Sequence, residues 1–210
     1  QCKFQTTSSK YKYTQMTDKK YTSYWKANKA KNPSIQVTSP DADTLIGGIY
    51  ACFGDLLDSW EVQVSKDGKK WETAVQGPAY LHAWVPLPEP SRYVRLRVTT
   101  GKQYELYLNE FFVLGVGDKP DWVQDWQPTC EKAELMFVST HPDDELIFFG
   151  GAIPPYATEL KRDVVVAYYT RNNPTRSSEL LNGLWYMGVR NYPVIGTASD
   201  KMSKTMAKAY

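Results

Sequence analysis

The sequence predicts a multidomain protein with two folds in succession, an antiparallel β-sandwich and then a partial Rossmann-like α/β domain. In the first half, apolar and polar residues alternate with period two between turn-forming residues, as in half-buried strands. In the second half, short and almost wholly apolar runs alternate with a helical pattern, as in a parallel sheet covered by helices. We expect domains at residues 1–117 and 131–210, joined by a linker at 118–130.

The sandwich prediction rests on alternating segments separated by turns. Residues 60–65 place Trp, Val and Val on one face and polar side chains on the other. The turn at 66–69 contains Gly68, which adopts positive φ without strain, and Trp71 opens the return strand. Residues 93–98 alternate in the same way. Two further strands are expected at 44–54 and 105–116.

Residues 118–130 interrupt this rhythm. Pro120 and Pro128 stand among polar residues, a composition typical of a linker. Trp122 and Trp126 are the residues through which such a linker would be pinned to a neighbouring surface.

The second half has the pattern of strand, helix, strand, helix and strand. An amphipathic helix is expected at 176–187, with Gly188 as its C-terminal cap, and Pro154-Pro155 must break or kink the helical segment before it. The strands are expected at 135–138, 164–169 and 192–195, and residues 198–210 resemble the opening of another helix. Three strands are few for a doubly wound domain, so we expect a truncated one. Its partner would be the remaining C-terminal fragment of the same protein.

Composition limits the classes of function. The formal net charge of +2 does not indicate a nucleic-acid-binding protein. Seven lysines between residues 10 and 31 are either a solvated face or a site for an anionic polymer. No apolar run is long enough for a transmembrane segment. Because the chain begins with Gln1 rather than Met, we expect a processed protein that is secreted or at the cell surface.

The chain has three cysteines, and their spacing is not that of a metal site. An odd number allows at most one disulfide and a leftover thiol. A Cys2–Cys130 disulfide joining the ends of the first domain stays open, because the sequence alone does not establish it.

The densest group of chemically active side chains is His141-Pro-Asp-Asp-Glu145, directly after an apparent buried strand. Ligands of open α/β sheets bind beyond the carboxyl ends of the strands. One imidazole and three carboxylates are the nitrogen and oxygen donors that zinc accepts. The alternative is a solvated acidic loop with an aspartate that caps the next helix.

The second half resembles the PIG-L / LmbE-like family of zinc-dependent N-deacetylases. The His-Pro-Asp-Asp-Glu motif at 141–145 carries the resemblance, together with Arg176-Ser-Ser-Glu179 and the Gly150-Gly151 and Gly188-Val189 pairs. It implies Zn²⁺ as cofactor and hydrolysis of the N-acetyl group of an amino sugar or glycoconjugate.

The same resemblance implies a role for each motif residue. His141 and Asp144 would be zinc ligands, Asp143 the general base, Glu145 a supporting carboxylate at the substrate and Arg176 a sugar contact. The alternatives are helix capping for Asp143 and an i,i+3 ion pair with Glu179 for Arg176. The family's distal histidine ligand is missing, because the other histidine, His82, lies in the β half. This chain alone is therefore expected to be inactive.

The first half resembles the discoidin, or F5/8 type C, family of jelly-roll β-sandwiches. The motifs are Trp60 to Trp71, Arg92 to Leu96 and Asn109 to Gly115, with an earlier Met-Thr-Asp18. The resemblance implies sugar binding, for which Trp25, His82 and Trp84 are candidates, although such residues more often belong to the core. It also implies a structural Ca²⁺, for which Asp18 and Glu110 are candidates.

Three functions follow from these observations. The first is a secreted zinc-dependent deacetylase with an attached glycan-binding module. The second is a lectin-like adhesion module with a non-catalytic α/β appendage. The third is an adhesin that uses its lysines to bind a polyanion or a membrane surface.

Overall fold

The structure is a computed structural model that describes residues 1–171 and 173–198. It divides the chain into two compact units, Gln1–Asp125 and Trp126–Tyr210. We call them the sandwich unit and the α/β unit. The helix expected at 198–210 lies almost wholly outside the described residues.

The sandwich unit is an antiparallel β-sandwich, as the alternating pattern predicts. Its sheets have the orders β1-β4-β9-β6-β7 and β2-β11-β5-β8, a small ribbon pairs β3 with β10, and every strand pair is antiparallel. A 3₁₀ turn covers Tyr13–Met16. The strands are β1 (Lys3–Thr6), β2 (Trp25–Lys26), β3 (Ala30–Lys31), β4 (Ser34–Thr38), β5 (Ile46–Phe53), β6 (Trp60–Ser65), β7 (Glu72–Gln76), β8 (His82–Ser91), β9 (Tyr93–Val98), β10 (Gln103–Tyr104) and β11 (Tyr107–Gly115).

The core lies between the two sheets because alternate residues of each strand face inward. On β9, Val94, Leu96 and Val98 have no exposed surface, while their neighbours are half-buried. Trp60 of β6 packs edge-on against Phe53 of β5, with ring centroids 5.0 Å apart.

The segment predicted to be a linker does not form one. Val123 has no exposed surface and packs with Tyr50 and Cys52, which point away from the core on the outer face of β5. Trp122 contacts Phe112, with ring centroids 4.9 Å apart. Residues 118–125 therefore belong to the sandwich unit. The apolar side chain of Val123 holds them on an outer sheet face that would otherwise be exposed to solvent.

The rest of that segment belongs to the α/β unit. Trp126 packs against Trp185 and Tyr192, with ring centroids 5.3 and 5.7 Å apart. Gln127 forms a parallel bridge with Asn191.

The described part of the α/β unit is built on a parallel sheet in the order β12-β13-β14. Phe149 of the first helix packs on Phe137 of the first strand. Gly188, with φ 88°, follows the second helix as expected of its cap. The elements are β12 (Leu135–Ser139), α1 (Asp144–Phe149), a π-helical turn (Pro155–Glu159), β13 (Val164–Tyr168), α2 (Pro174–Tyr186) and β14 (Val194–Ile195). A complete Rossmann-like domain stays a prediction.

Two general features concern the described residues. Cys2, Cys52 and Cys130 are all free thiols. Within residues 1–171 and 173–198, no helix has the length and apolar character needed to cross a bilayer.

Candidate functional site

The three residues considered for sugar binding do not form an exposed site. Trp25 and His82 have no exposed surface, so neither presents a ring to a sugar in this structure. Trp84 is half-buried beside Tyr50, Cys52 and Val123, and its indole fills the space where a Cβ on Gly48 would lie. All three side chains serve the packing of the sandwich unit instead.

His82 belongs to a buried polar cluster on the outer face of the sheet. Its Nδ1 lies 2.9 Å from Oε1 of Gln124 and 3.2 Å from the hydroxyl of Tyr50. Tyr21 stacks on the imidazole, with ring centroids 5.6 Å apart. Burial lowers the pKa of His82 to about 4, so the ring is neutral near pH 7.

An aromatic surface does exist at one end of the sandwich unit, where β2 and β11 meet. The rings of Tyr11 and Tyr24 are 5.0 Å apart, and those of Tyr24 and Tyr107 are 4.8 Å apart. All three rings are half-buried, so each has a solvent-exposed part. Gly54 adjoins this surface, because a Cβ there would lie only 2.6 Å from the ring of Tyr107. We call these three residues the tyrosine surface.

Polar groups border the tyrosine surface. The hydroxyls of Tyr11 and Tyr24 are 3.2 Å apart and share a hydrogen bond, which lowers the pKa of Tyr11 and raises that of Tyr24. Lys26 lies over the ring of Tyr107, 5.9 Å from its centroid, and forms a 2.9 Å ion pair with Glu105. Rings, hydroxyls and charges of both signs therefore converge at one place.

The sequence singles out Trp25 beside this surface, whereas the ring at the surface belongs to the preceding residue. Trp25 is the larger aromatic residue, but successive residues of a strand face opposite sides of a sheet. In β2, Trp25 points into the core, while Lys26 is half-exposed beside the ring of Tyr107. The aromatic ring at the surface is therefore that of the half-buried Tyr24, which precedes Trp25 in the chain.

The two residues considered for calcium lie together. The amide of Lys20 donates to Oδ1 of Asp18 at 3.0 Å and to Oε1 of Glu110 at 2.6 Å. Glu110 has no exposed surface, and its Oε2 has no hydrogen-bond partner among the described residues. Burial raises the pKa of Glu110 to about 7, and the adjacent Asp18 adds to the effect. Such a pair needs a proton or a cation between its carboxyl groups, so its donors fit calcium.

In the α/β unit, the residues of 141–145 lie at the carboxyl end of β12, as the sequence predicts. The strand itself is not buried as expected, because Met136 and Val138 are 57% and 49% exposed. Oδ2 of Asp144 accepts the amides of Thr140 and His141, each at 3.0 Å. Nδ1 of His141 faces the same oxygen at 3.8 Å, which is longer than the roughly 3.3 Å between two ligands of a tetrahedral zinc ion. No group of three metal-binding side chains exists in the described ranges.

Asp143 occupies the N-cap position of α1 with φ 109°, a strained conformation for a residue other than glycine. Its side chain does not cap the helix. Instead, Oδ2 of Asp143 accepts a 2.7 Å hydrogen bond from Arg176, whose Nη2 also donates to the carbonyl of Pro142 at 2.6 Å. Arg176 additionally pairs with Glu179 at 3.4 Å.

Glu145 lies beneath the motif with no exposed surface. Its Oε2 accepts the amide of the strained Asp143 at 3.0 Å. Burial raises the pKa of Glu145. Burial also raises the pKa of the Tyr168 hydroxyl, and the negative charge of the nearby Glu145 raises it further. Buried at this depth, Glu145 supports the conformation of Asp143 rather than presenting itself to a substrate.

Comparisons with known proteins give structural neighbours but no family. No protein-family model and no curated protein matches the chain. One similar solved structure is a chitosan-binding module of a chitosanase/glucanase from Paenibacillus sp. IK-5, with 20% identity, TM-score 0.45, and coverage of 54% of this chain and 94% of that one. Another is the family 32 carbohydrate-binding module of Clostridium perfringens NanJ in complex with galactose, with 12% identity, TM-score 0.43, and coverage of 53% and 92%. Because identities and TM-scores are low, the sandwich assignment rests on the strand pairing itself.

Proposed function

We propose that the sandwich unit is a carbohydrate-binding module that holds a neutral sugar on the tyrosine surface. The observation that carries this proposal is the contiguous, partly exposed set of Tyr11, Tyr24 and Tyr107 at one end of the sandwich. Tyrosine combines a rigid apolar ring with a hydroxyl at its edge. The ring packs against the C–H face of a pyranose, while the hydroxyls reach the hydroxyl groups at the rim of the sugar.

The polar border supplies orientation. Lys26 donates hydrogen bonds and Glu105 accepts them, and their ion pair places both beside the ring of Tyr107. A binding site of this kind needs few polar groups if they are well placed around an apolar floor. The ion pair of Lys26 and Glu105 compensates its own charges, and Lys10, 5.3 Å from the centroid of the Tyr11 ring, adds a further hydrogen-bond donor.

Substituting Tyr24 or Tyr107 by alanine is expected to weaken sugar binding by about tenfold or more, since each ring forms part of the stacking floor. Tyr24→Phe retains the ring and should lose less. The measurement is calorimetric titration with galactose and with N-acetylglucosamine oligomers.

The matched control is Tyr186→Ala, because Tyr186 is 85% exposed on α2 of the other unit. Wild-type protein that binds neither sugar, or an equal loss in the Tyr186 variant, would contradict the proposal.

We propose zinc-dependent deacetylation as a second function, for the polypeptide to which the α/β unit belongs. The specific observation is that His141 and Asp144 face one another beside Asp143 at the carboxyl end of β12. Zinc, when bound, supplies a water of lowered pKa and a positive charge beside the scissile carbonyl. His141 and Asp144 would hold it, and the carboxylate of Asp143 would take a proton from water and return one to the leaving amine.

The remaining residues position that base. Arg176 holds the carboxylate of Asp143, and Glu145 holds its amide, so both ends of this strained residue are fixed. The described residues offer no third zinc ligand beside these two, and the other histidine, His82, is buried in the sandwich unit. We therefore propose weak zinc binding and no deacetylation by this chain alone.

His141→Ala is expected to weaken zinc binding by at least about tenfold, because even loss of a residue supporting a ligand costs that much. Calorimetric titration with zinc chloride checks this. Glu159→Gln is the control, because Glu159 is an exposed carboxylate of the π-helical turn and lies outside both the 141–145 and the 176–179 motif. If both variants bound zinc as the wild type does, His141 would not be a ligand.

Two further expectations belong to the proposal that the sandwich unit is a carbohydrate-binding module. Asp18 and Glu110 would hold a structural calcium in the sandwich unit. A location outside the cell or at its surface would give such a module access to glycans, and it stays a prediction.

A further inference from the structure

The sandwich unit has a concave site apart from the tyrosine surface, formed by the hairpin between β6 and β7. It is an open cleft of about 460 Å³. It lies away from the tyrosine surface, because β6 starts after the loop that follows Gly54 and the hairpin is at the other end of β6. The cleft is lined by Lys66, Asp67, Lys70, Trp71 and Glu72.

The cleft contains two acidic residues, Asp67 and Glu72. The carboxylate of Asp67 accepts hydrogen bonds from the backbone of the turn. Its Oδ1 accepts the amides of Lys69 and Lys70 at 2.8 and 2.9 Å, and these bonds hold its pKa below the usual range. Gly68 completes the turn with φ 70°. The charge of Asp67 is thus directed at the backbone rather than at the cleft.

The second acid, Glu72, is exposed and offsets one positive charge, but Lys66, Lys70 and the adjoining Arg95 outnumber it. Arg95 lies over the ring of Trp71, 4.3 Å from its centroid, and its Nε donates to Gln63 at 2.7 Å. Its two terminal amino groups make no hydrogen bond or ion pair with the described residues, and neither do the ammonium groups of Lys66 and Lys70.

The position of Arg95 makes an anion favourable there. Burial lowers the pKa of Arg95, and the charge of the nearby Arg97 lowers it further, whereas Glu61 opposes this effect. Arg97 forms a 3.4 Å ion pair with Glu61, so the negative charge of Glu61 is shared between Arg95 and Arg97. A partly desolvated guanidinium with free terminal amino groups is suited to a carboxylate, which it binds through two parallel hydrogen bonds.

We propose that this cleft binds a carboxylated sugar, a uronic acid residue of a polysaccharide. The exposed part of the Trp71 indole packs against the pyranose ring, and Arg95 with Lys66 and Lys70 binds the carboxylate. A neutral sugar would leave these charges without a partner, and a simple anion would leave the indole unused. The site is distinct from the tyrosine surface, so one unit would hold two different sugars of a polysaccharide.

The test is calorimetric titration of the full chain with a galacturonic acid oligomer, a neutral galactose oligomer and a sulfated galactose oligomer without carboxyl groups. The galacturonate oligomer is expected to bind, and Lys70→Glu and Trp71→Ala should each weaken it by about tenfold or more. Raising the salt concentration should weaken it as well. Tyr24→Ala should leave it unchanged, which separates this site from the proposed neutral-sugar site.

The matched control is Lys3→Glu. Lys3 is an exposed residue of β1, at the opposite edge of the sheet that ends with β7. Equal weakening in the Lys3 variant, or no galacturonate binding by the wild type, would overturn the proposal. Equal or tighter binding of the sulfated oligomer would overturn the carboxylate assignment. Because Lys70 is exposed, its variant still decides the question if Trp71→Ala fails to fold.

Discussion

Lowering the pH from 6.5 to about 4 is expected to cost the sandwich unit on the order of 3 kcal/mol of unfolding free energy through His82 alone. His82 is fully buried and neutral in the fold, whereas the unfolded chain protonates it near pH 6.5. In this pH window the unfolded state binds more protons, so stability falls as the pH falls. Above pH 6.5 this contribution is fully present.

The measurement is urea unfolding of wild type and His82→Gln at both ends of that window. Glutamine is neutral throughout and retains hydrogen-bonding groups for Gln124 and Tyr50. Other groups of the unit titrate as well, and Glu110 acts in the opposite direction because its pKa is raised. The expected result is therefore a difference, with wild type losing more stability than the variant. Parallel losses in the two proteins would show that His82 is not held neutral.

Calcium is expected to raise the unfolding free energy of the sandwich unit by about 2.7 kcal/mol at a hundredfold excess over its dissociation constant. The reason lies in the carboxyl pair of Asp18 and Glu110, which share the amide of Lys20 while Oε2 of Glu110 is buried without a partner. A cation between them removes their repulsion and provides that partner. Calcium is the suitable ion because it accepts carboxylate and backbone oxygens in flexible geometry.

Thermal unfolding with calcium chloride, magnesium chloride or chelator checks this expectation. Glu110→Gln should abolish the response to calcium. Glu105→Gln is the control, since Glu105 is an exposed carboxylate of the same unit that pairs with Lys26. A response to calcium that persists in Glu110→Gln would show that the ion binds elsewhere. An equal response to magnesium would show that the site is not specific for calcium.

The sequence predicts the sandwich because its strands are half-buried, and half-burial leaves a period-two pattern. Thus β6, the turn with Gly68 and β9 lie where the pattern places them. The motif at 141–145 likewise follows a strand, β12, as predicted. The apolar run at 135–138 can be recognised as a strand from the sequence alone, without knowing which strands pair with it.

The residues that the sequence misassigns share a physical cause. Val123 and Gln124 lie in a polar, proline-containing segment, yet they are buried on a sheet face formed far away in the chain. Trp25 and His82 have suitable chemistry for sugars, but Trp25 points into the core, and His82 is covered by Tyr21 and Gln124 on the outer sheet face. The tyrosine surface joins residues from three separate segments, and no local pattern reports such proximity.

The most direct test of sugar binding at the tyrosine surface is NMR of protein containing fluorotyrosine, titrated with neutral oligosaccharide. Its signals would be assigned by single Tyr→Phe variants. We expect the signals of Tyr11, Tyr24 and Tyr107 to shift together along one saturation curve, while those of Tyr13 and Tyr186 remain in place. Saturable binding that leaves the three signals unmoved would contradict the account.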